Sequence, residues 1–456
     1  MTSPALPPAY DPKEARYWDA EDLLADEQRQ FQVCDGCRLC WNLCPAFPAL
    51  FDAADAVEND VSKLEQPAFN VINDLCFQCK LCWVVCPYTD PHDYDMDVPK
   101  LLERANFVKA KDKGIKFSKK LVGDQDRLAK LGGGMMSPMT NFANKFPPSR
   151  KIVGMIVDVH DDAILPEYHT ETFTAWFKKQ YGDALRPANA VKKVALFASC
   201  TVNYNDPEIG KACVRVLEHN NIEVVVPEQQ CCGMPLADIG DYDGAKRKMD
   251  FNLGRLATLV DAGYDIVVPQ PTCALVLRDD YPTRSENEAA RRVAEHTFEI
   301  GHYLTNLARD ETLVRDFKYS LGSVGFHVAC HTRRQAAGIN APRLLGLIPG
   351  TDVATVESCS GHDGTWGVSR QYFPLALKVG KKLFDNLNKQ TADVLVSDCP
   401  LAARHIQIGT GRRPIHSAQA LAAAYGLEGA PEGVGRPLPI TPAETPSETP
   451  DGEASA

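Results

Sequence analysis

Residues 34–45 read CDGCRLCWNLCP, and residues 76–87 read CFQCKLCWVVCP. The two runs share one spacing and one ending: Cys34, Cys37, Cys40 and Cys44 precede Pro45, and Cys76, Cys79, Cys82 and Cys86 precede Pro87. Intervals of two residues let three thiolates of a run converge on adjacent corners of one metal centre. A single centre per run, two centres shared between the runs, and a disulfide knot are the three readings to separate.

The rest of the chain weighs against disulfides. The N-terminus, MTSPALPPAYDPKEARYWDAEDLL, has neither a basic flank nor an apolar core, so it does not read as a secretory signal. No apolar run approaches the roughly 18 residues of a membrane span. A cytoplasmic chain is expected, with peripheral attachment to the inner face of the cytoplasmic membrane as the variant reading. Sixteen cysteines in such a compartment are poorly explained as disulfides. Eight of them lie in the two runs and seven more fall in two spaced sets downstream, which favours metal. The net charge of -11 argues against nucleic acid. A length of 456 residues exceeds one ordinary core, and about three domains are expected.

The paired runs have the spacing of bacterial two-cluster ferredoxins, in which the fourth cysteine of each run ligates the other cluster. That resemblance implies one 4Fe–4S cluster on Cys34, Cys37, Cys40 and Cys86, and another on Cys76, Cys79, Cys82 and Cys44. Two unrelated zinc sites are the alternative. The 31 residues between Cys44 and Cys76 have apolar positions at helical intervals. Residues 1–104 thus resemble the α-helical ferredoxin domain of succinate dehydrogenase-type and heterodisulfide reductase-type proteins. Trp41 and Trp83 follow the third cysteine of their runs and are expected to pack in the core, with shielding of the clusters as the other role.

Residues 105–190 read as a linker and a lead-in to the next domain. KAKDKGIKFSKK is basic, and LGGGMMSPMTNFANKF is rich in small residues and methionine. Without a sustained helical moment a solvated linker is expected, and docking to a partner or a membrane edge is the alternative.

From residue 193 the pattern becomes strand, helix, strand. KVALFA, EVVVPE and DIVVPQ are short β-branched runs, followed by Cys200, by Cys231 and Cys232, and by Cys273. In the helix PEIGKACVRVLEHN, Cys213 shares an apolar stripe with Ile209, Ala212 and Val216 and is expected to be a core thiol. The pattern recurs: GFHVAC ends at Cys330, VATVESCSG carries Cys359, and ADVLVSDCP carries Cys399. Ligands gather beyond the carboxyl ends of parallel strands, so each set is expected to meet at one sheet edge. Two α/β domains with parallel sheets, 191–310 and 311–427, follow from the duplication.

ASC…QQCCG…PTC and VAC…SCSG…SDCP resemble the paired cysteine-rich CCG domains of a family of iron–sulfur subunits. Its members include those of glycolate oxidase and anaerobic glycerol-3-phosphate dehydrogenase, and the cysteine-rich subunits of heterodisulfide reductase. The sequence departs from the full motif: Cys273 and Cys399 lack the second cysteine of a closing pair, and Ser360 replaces a thiolate. The first half offers Cys200, Cys231, Cys232 and Cys273, enough for an iron–sulfur cluster or zinc. The second offers Cys330, Cys359 and Cys399, leaving a corner for His331, His362, His405 or a substrate sulfur. GHDGTWG, residues 361–367, lacks the lysine of a phosphate loop and reads as a tight turn near Cys359. No GxGxxG fingerprint occurs, so no flavin or nicotinamide is expected on this chain. The tail from residue 428 is Pro-, Glu- and Thr-rich and is expected to be disordered.

The resemblance implies an electron-transfer subunit, taking electrons from a flavin-dependent dehydrogenase of the hydroxy-acid or glycerol 3-phosphate type and passing them toward quinone or another acceptor. The alternatives are a heterodisulfide or quinone reductase site in the CCG half, and a donor to a peroxide-reducing diiron protein.

Overall fold

Asp19 accepts a hydrogen bond from the backbone N–H of Asp22 and so starts helix α1, Ala20–Cys37. That helix delivers Cys34 and Cys37, and the left-handed Arg38 ends it and turns the chain back toward Cys40. Helices α2, Ala46–Asp55, and α3, Gln66–Asp74, fill the interval between the cysteine runs. In the second run Lys80 occupies the position of Arg38, is also left-handed, and precedes the short helix α4, Leu81–Val85. Helix α5, Val98–Lys113, closes this domain around Phe31, Leu50, Phe51, Phe69 and Leu101, and runs through the boundary expected at residue 104. The computed structural model describes residues 8–285 and 287–438.

The stretch expected as a solvated linker is helical. It forms α6, Phe117–Gly123, α7, Gln125–Gly132, α8, Ser137–Lys145, and α9, Pro147–Val157. Glycines at 132–134 and prolines at 138, 147 and 148 cut it into helices of two or three turns. Each apolar face is therefore too short to register as a sustained moment along the sequence. The lead-in continues with a helix at Phe173–Tyr181.

The first α/β unit carries β1, Ala184–Leu185, β2, Lys192–Leu196, β3, Ile222–Val225, β4, Asp265–Val268, and β5, Thr297–Glu299. Its sheet runs β1-β3-β2-β4-β5, parallel except for the antiparallel β1. The second unit carries β6, Tyr319–Ser320, β7, Ser323–His327, β8, Asp352–Val356, and β9, Val394–Ser397. Its parallel sheet has the order β8-β7-β9. The two sheets repeat one plan, with β2 or β7 central and the next two strands of the chain on either side of it. Val194, Leu196 and Val224 of one unit and Phe326, Val396 and Leu421 of the other belong to one continuous core. Cys213 is fully buried in it.

Part of the tail departs from expectation. Strand β10, Arg436–Pro437, pairs antiparallel with β6, and Leu438 donates its N–H to the Lys318 carbonyl. The backbone groups of β6 provide a ladder that tail composition alone does not reveal. The rest of the tail, from residue 439, lies outside the described residues.

Candidate metal centres

Two small cavities open in the helical domain. One is lined by Cys34, Cys37, Cys40 and Cys86, the other by Cys44, Cys76, Cys79 and Cys82. Each run thus lends its fourth cysteine to the cavity of the other. Cys82 feels the charges of Cys79, Cys76 and Cys44, and also that of Cys40, so the two sets adjoin. Cys37 is the exposed member of the first set, and Leu39 and Trp41 stand in solvent close to it in the chain.

The downstream cysteines converge on one larger cavity of about 530 Å³. Cys200, Cys231, Cys232 and Cys273 line it from the first α/β unit, and Cys330, Cys359 and Cys399 from the second. Cys79 of the helical domain lines it too, and Cys330 and Cys359 both feel its charge. The sequence placed each set at its own sheet edge; the shared cavity is a product of how the units pack.

Local backbone explains the turns. Ser199, at φ 64°, swings the chain after β2 so that Cys200 points back. Gly233 and Gly361 follow Cys232 and Ser360, with φ of 100° and 69°. A Cβ on Gly361 would lie 1.9 Å from the Ala376 carbonyl oxygen, so only glycine fits there. The Gly361 N–H donates to Cys359 Sγ at 3.3 Å, the Gln78 N–H to Cys76 Sγ at 3.5 Å, and the Ala402 N–H to Cys399 Sγ at 3.4 Å.

None of the sixteen cysteines is paired in a disulfide. Burial pushes Cys34, Cys76, Cys82 and Cys330 well above the ordinary thiol range, and neighbouring thiols add to the rise. The same causes push Cys40, Cys79 and Cys359 up to about 12. In the first α/β set, thiol donation from Cys200 and Cys232 holds Cys231 well below that range. Buried thiols gathered this way ionise together beside a concentrated positive charge, which an iron–sulfur core provides. The donor sets fit such clusters in chemistry and grouping. Among the described residues, no three His, Cys, Asp or Glu side chains close around a point as ligands of a single ion would.

The histidines proposed for the open corner divide. His331 donates from Nε2 to the Gln78 carbonyl at 3.0 Å and accepts at Nδ1 from Thr272 Oγ1 at 2.9 Å. Burial lowers it to about 4, and both nitrogens are engaged, so it ties the second unit to the helical domain and is no free ligand. His405 donates from Nδ1 to the Ser360 carbonyl and does not line the cavity. His362 does line it, and burial beside His405 keeps its ring neutral.

The expected core tryptophans lie elsewhere. Trp41 is exposed and stacks on Phe51 at 5.5 Å, because it lies in the turn between α1 and α2 rather than on a buried helix face. Trp83 is half-buried under the Arg334 guanidinium, 3.6 Å above its ring, at the junction with the second unit. Residues 361–367 form a turn, as read, and Trp366 from it packs on Phe77 and donates to the Asp74 carbonyl at 3.0 Å. Sequence reasoning missed Asp126, whose carboxylate accepts the Cys231 N–H at 2.6 Å and pairs with Lys248. It also missed the buried Lys80–Asp280 pair at 2.8 Å, which joins residues 200 positions apart.

Comparison with known proteins follows the same division of the chain. Residues 27–112 match the family model of the citrate utilization protein B Fer4-like domain. Residues 194–278 and 324–407 each match that of the CCG cysteine-rich domain. The C subunit of anaerobic glycerol-3-phosphate dehydrogenase from Escherichia coli (strain K12) is 28% identical over 293 residues, 63% of this chain and 72% of the relative. Lactate utilization protein A of Bacillus cytotoxicus is 31% identical over 245 residues, 50% of this chain and 98% of the relative. The Geobacillus thermodenitrificans protein of the same name gives the same identity and coverage. The chain therefore belongs to the family that joins a Fer4-like domain to a duplicated CCG cysteine-rich domain, the family of lactate utilization protein A and of the C subunit of anaerobic glycerol-3-phosphate dehydrogenase.

Proposed function

We propose that this chain is the iron–sulfur electron-transfer subunit of an oxidoreductase, accepting electrons from a flavin-dependent dehydrogenase and delivering them to an acceptor in the shared cavity. The observation that carries the reading is Cys79, which lines both the cavity of its own set and the cavity of the seven CCG-domain cysteines. Cys34, Cys37, Cys40 and Cys86 would hold one 4Fe–4S cluster and Cys44, Cys76, Cys79 and Cys82 the other. Cys200, Cys231, Cys232 and Cys273, with Cys330, Cys359 and Cys399, would hold one or two further centres. Bound there, iron–sulfur clusters supply reversible one-electron storage at potentials set by their surroundings. The residues do the rest: N–H groups of Gln78, Gly361 and Ala402 point at sulfurs, and burial keeps water from them.

The exposed Cys37, with Leu39 and Trp41 near it, offers the side from which a dehydrogenase partner would donate. The relative whose name states a glycerol-3-phosphate dehydrogenase subunit supports that class of partner. The mostly apolar cavity walls, with Leu128, Val153, Val157 and Leu165, suit quinone as the acceptor. A second reading, reduction of a disulfide by two electrons and two protons to two thiols, is favoured by the incomplete Cys330, Cys359 and Cys399 set facing the same space.

Anaerobic purification with iron and sulfide counts and EPR tests the proposal. About eight irons per chain would load the helical domain alone, and about twelve to sixteen would load the CCG centres too. Cys86→Ser must damage the cluster of the first run, although it lies in the second; an unchanged spectrum would refute the cross-ligation. Co-purification of a flavoprotein supports the leading reading, and turnover of a disulfide by the isolated chain supports the second.

A further inference from the structure

The duplicated sheets treat their outer edges differently. In the first unit β1, which precedes the central strand, reaches across and pairs antiparallel with β3, Ala184 with Val225 and Leu185 with Val224. Its counterpart β6 is separated from β7 by Leu321 and Gly322 alone, a connection too short to cross the sheet, and it pairs with the tail strand β10 instead. Strand β8 holds the place of β3 in the second sheet and is left as a bare edge.

The free side of β8 is open in both backbone and side chains. Asp352 donates its N–H to the Gly322 carbonyl and the Val356 carbonyl accepts from Val328, so residues 352, 354 and 356 face β7. The N–H and C=O groups of Val353 and Thr355 point the other way, and among the described residues no hydrogen bond reaches them. Asp352, Ala354 and Thr355 are exposed, whereas Ile222 and Val224 of β3 are fully buried. Residues 351–358, TDVATVES, contain neither lysine nor proline, the residues with which natural edges repel a further strand. Their charges, Asp352 and Glu357, stand toward the two ends. The helix Asn340–Leu345 packs against β8, and Ile339 and Leu347, which bracket that helix, are 48% and 38% exposed.

We propose that this edge is closed by the same edge of a second copy of the chain, in antiparallel pairing about Ala354. Val353 and Thr355 of one copy would exchange N–H···O=C bonds with Thr355 and Val353 of the other, so a twofold axis satisfies each free group with its own counterpart. Charge sets the direction. Parallel pairing would put Asp352 beside its own copy and Glu357 likewise, and like charges opposite one another destabilise a sheet. Antiparallel pairing puts Asp352 opposite Val356, and it is the direction in which β1 already closes β3. Ala354 meets its own copy on the axis, where paired Cα atoms approach to about 4.5 Å and a small side chain fits. The two β8 strands run opposite ways, so the Cys359 corners face apart and each copy keeps its own cavity. Pairing of this kind stands whether or not those cavities transfer electrons.

Sedimentation velocity of the full, cluster-loaded chain over about 0.5–50 µM tests this, with twice the 50.1 kDa of one copy expected as concentration rises. Thr355→Pro removes the outward N–H from both copies and should weaken association by at least about tenfold. Ala354→Lys sets two ammonium groups on the axis and should weaken it by at least about fivefold. Position 354 is exposed, so the lysine variant keeps its circular dichroism and iron content and serves where the proline variant misfolds. Ala354→Cys, treated anaerobically with glutathione disulfide, should cross-link the copies through residue 354, because Cα atoms about 4.5 Å apart lie within reach of a disulfide. A chain that stays monomeric, a dimer indifferent to the lysine and proline changes, or an Ala354→Cys form that cross-links no faster than the parent would each overturn the proposal. A monomer whose β8 amides gain exchange protection only from a different protein would overturn it as well.

Discussion

Lys80 lies between Cys79 and Cys82, and its ammonium is 8% exposed and 2.8 Å from Asp280 Oδ1, itself 7% exposed. The Asp280 carboxylate has one other cation near it, Arg284, with a closest approach of 3.5 Å, and that guanidinium is committed to Glu103 at 2.5 Å. Burial works against both charges, yet Lys80 holds Asp280 down to about 2 and Asp280 raises Lys80 in return. Lys80→Met keeps the stem and removes the charge, leaving Asp280 buried beside Arg284 alone. Breaking a buried pair from one side costs about 3–5 kcal/mol, and the remaining Arg284 puts the expectation at about 3 kcal/mol. Asp280→Leu strands Lys80 in turn, while the double variant leaves no lone charge and should fall short of the summed losses by at least about 1.5 kcal/mol. Urea unfolding of anaerobically prepared protein, followed by circular dichroism, reads all three. Losses additive within about 0.5 kcal/mol would refute the argument that the pair couples the helical domain to the first α/β unit. The missing positive charge should also move the midpoint potential of the adjoining set downward, since reduction there becomes harder.

Three further outcomes follow from single contacts. Glu299 is buried, and this raises its carboxyl to about 8 against an ordinary 4.5, with Thr332 and Gln335 donating to it. The folded state holds a proton that the unfolded state has lost, so stability falls between about pH 4.5 and pH 8, and Glu299→Gln should flatten that slope in melting temperature against pH. Gly361→Ala meets both a φ of 69° and the Ala376 carbonyl, and should cost at least about 2 kcal/mol, read as a lowered urea midpoint. Trp366→Ala removes the ring on Phe77 and the bond to Asp74, at a cost of about 3–5 kcal/mol, whereas Trp366→Phe should recover most of it on the same assay.

The helical domain was legible because its chemistry is written in short intervals. Four thiols within one run mark a donor set, and the repeated run marks a second. The strands were legible for a similar reason, since KVALFA and ADVLVSD announce β2 and β9 by β-branched content alone. What escaped depends on contacts without spacing. Nothing near Cys200 or Cys330 in the sequence says that their sets face one cavity, because the core joining Val194 to Val396 decides it. His331, Lys80 and Asp126 each act through partners far along the chain, and a lone residue leaves no pattern. The stretch α6–α9 is the instructive miss, because its helices are too short for their periodicity to register along the sequence.

The two CCG halves are unequal, and their inequality has a direction. The second half is the incomplete one, with Ser360 where the first has Cys232, and its thiols are also the ones that feel the helical domain's Cys79. Cys330 and Cys359 feel Cys79, and Cys44 feels Cys359, whereas the strongest electrostatic neighbours of Cys200 and Cys232 are Cys231 and Cys273. On the proposed reading, the order from the exposed Cys37 is then the first set, the second set, the three-thiol half, and the complete half across the cavity. A centre missing one protein ligand in the middle of that row is the point where an external group can join it. His362 and Ser360 line the cavity at that same point, so the missing thiolate faces the space an acceptor would enter. Ser360→Cys should therefore close the corner: iron content would hold or rise while delivery to a cavity-bound acceptor falls and dye reduction at the exposed first set persists. Unimpaired delivery in that variant would mean that the acceptor meets the complete half instead.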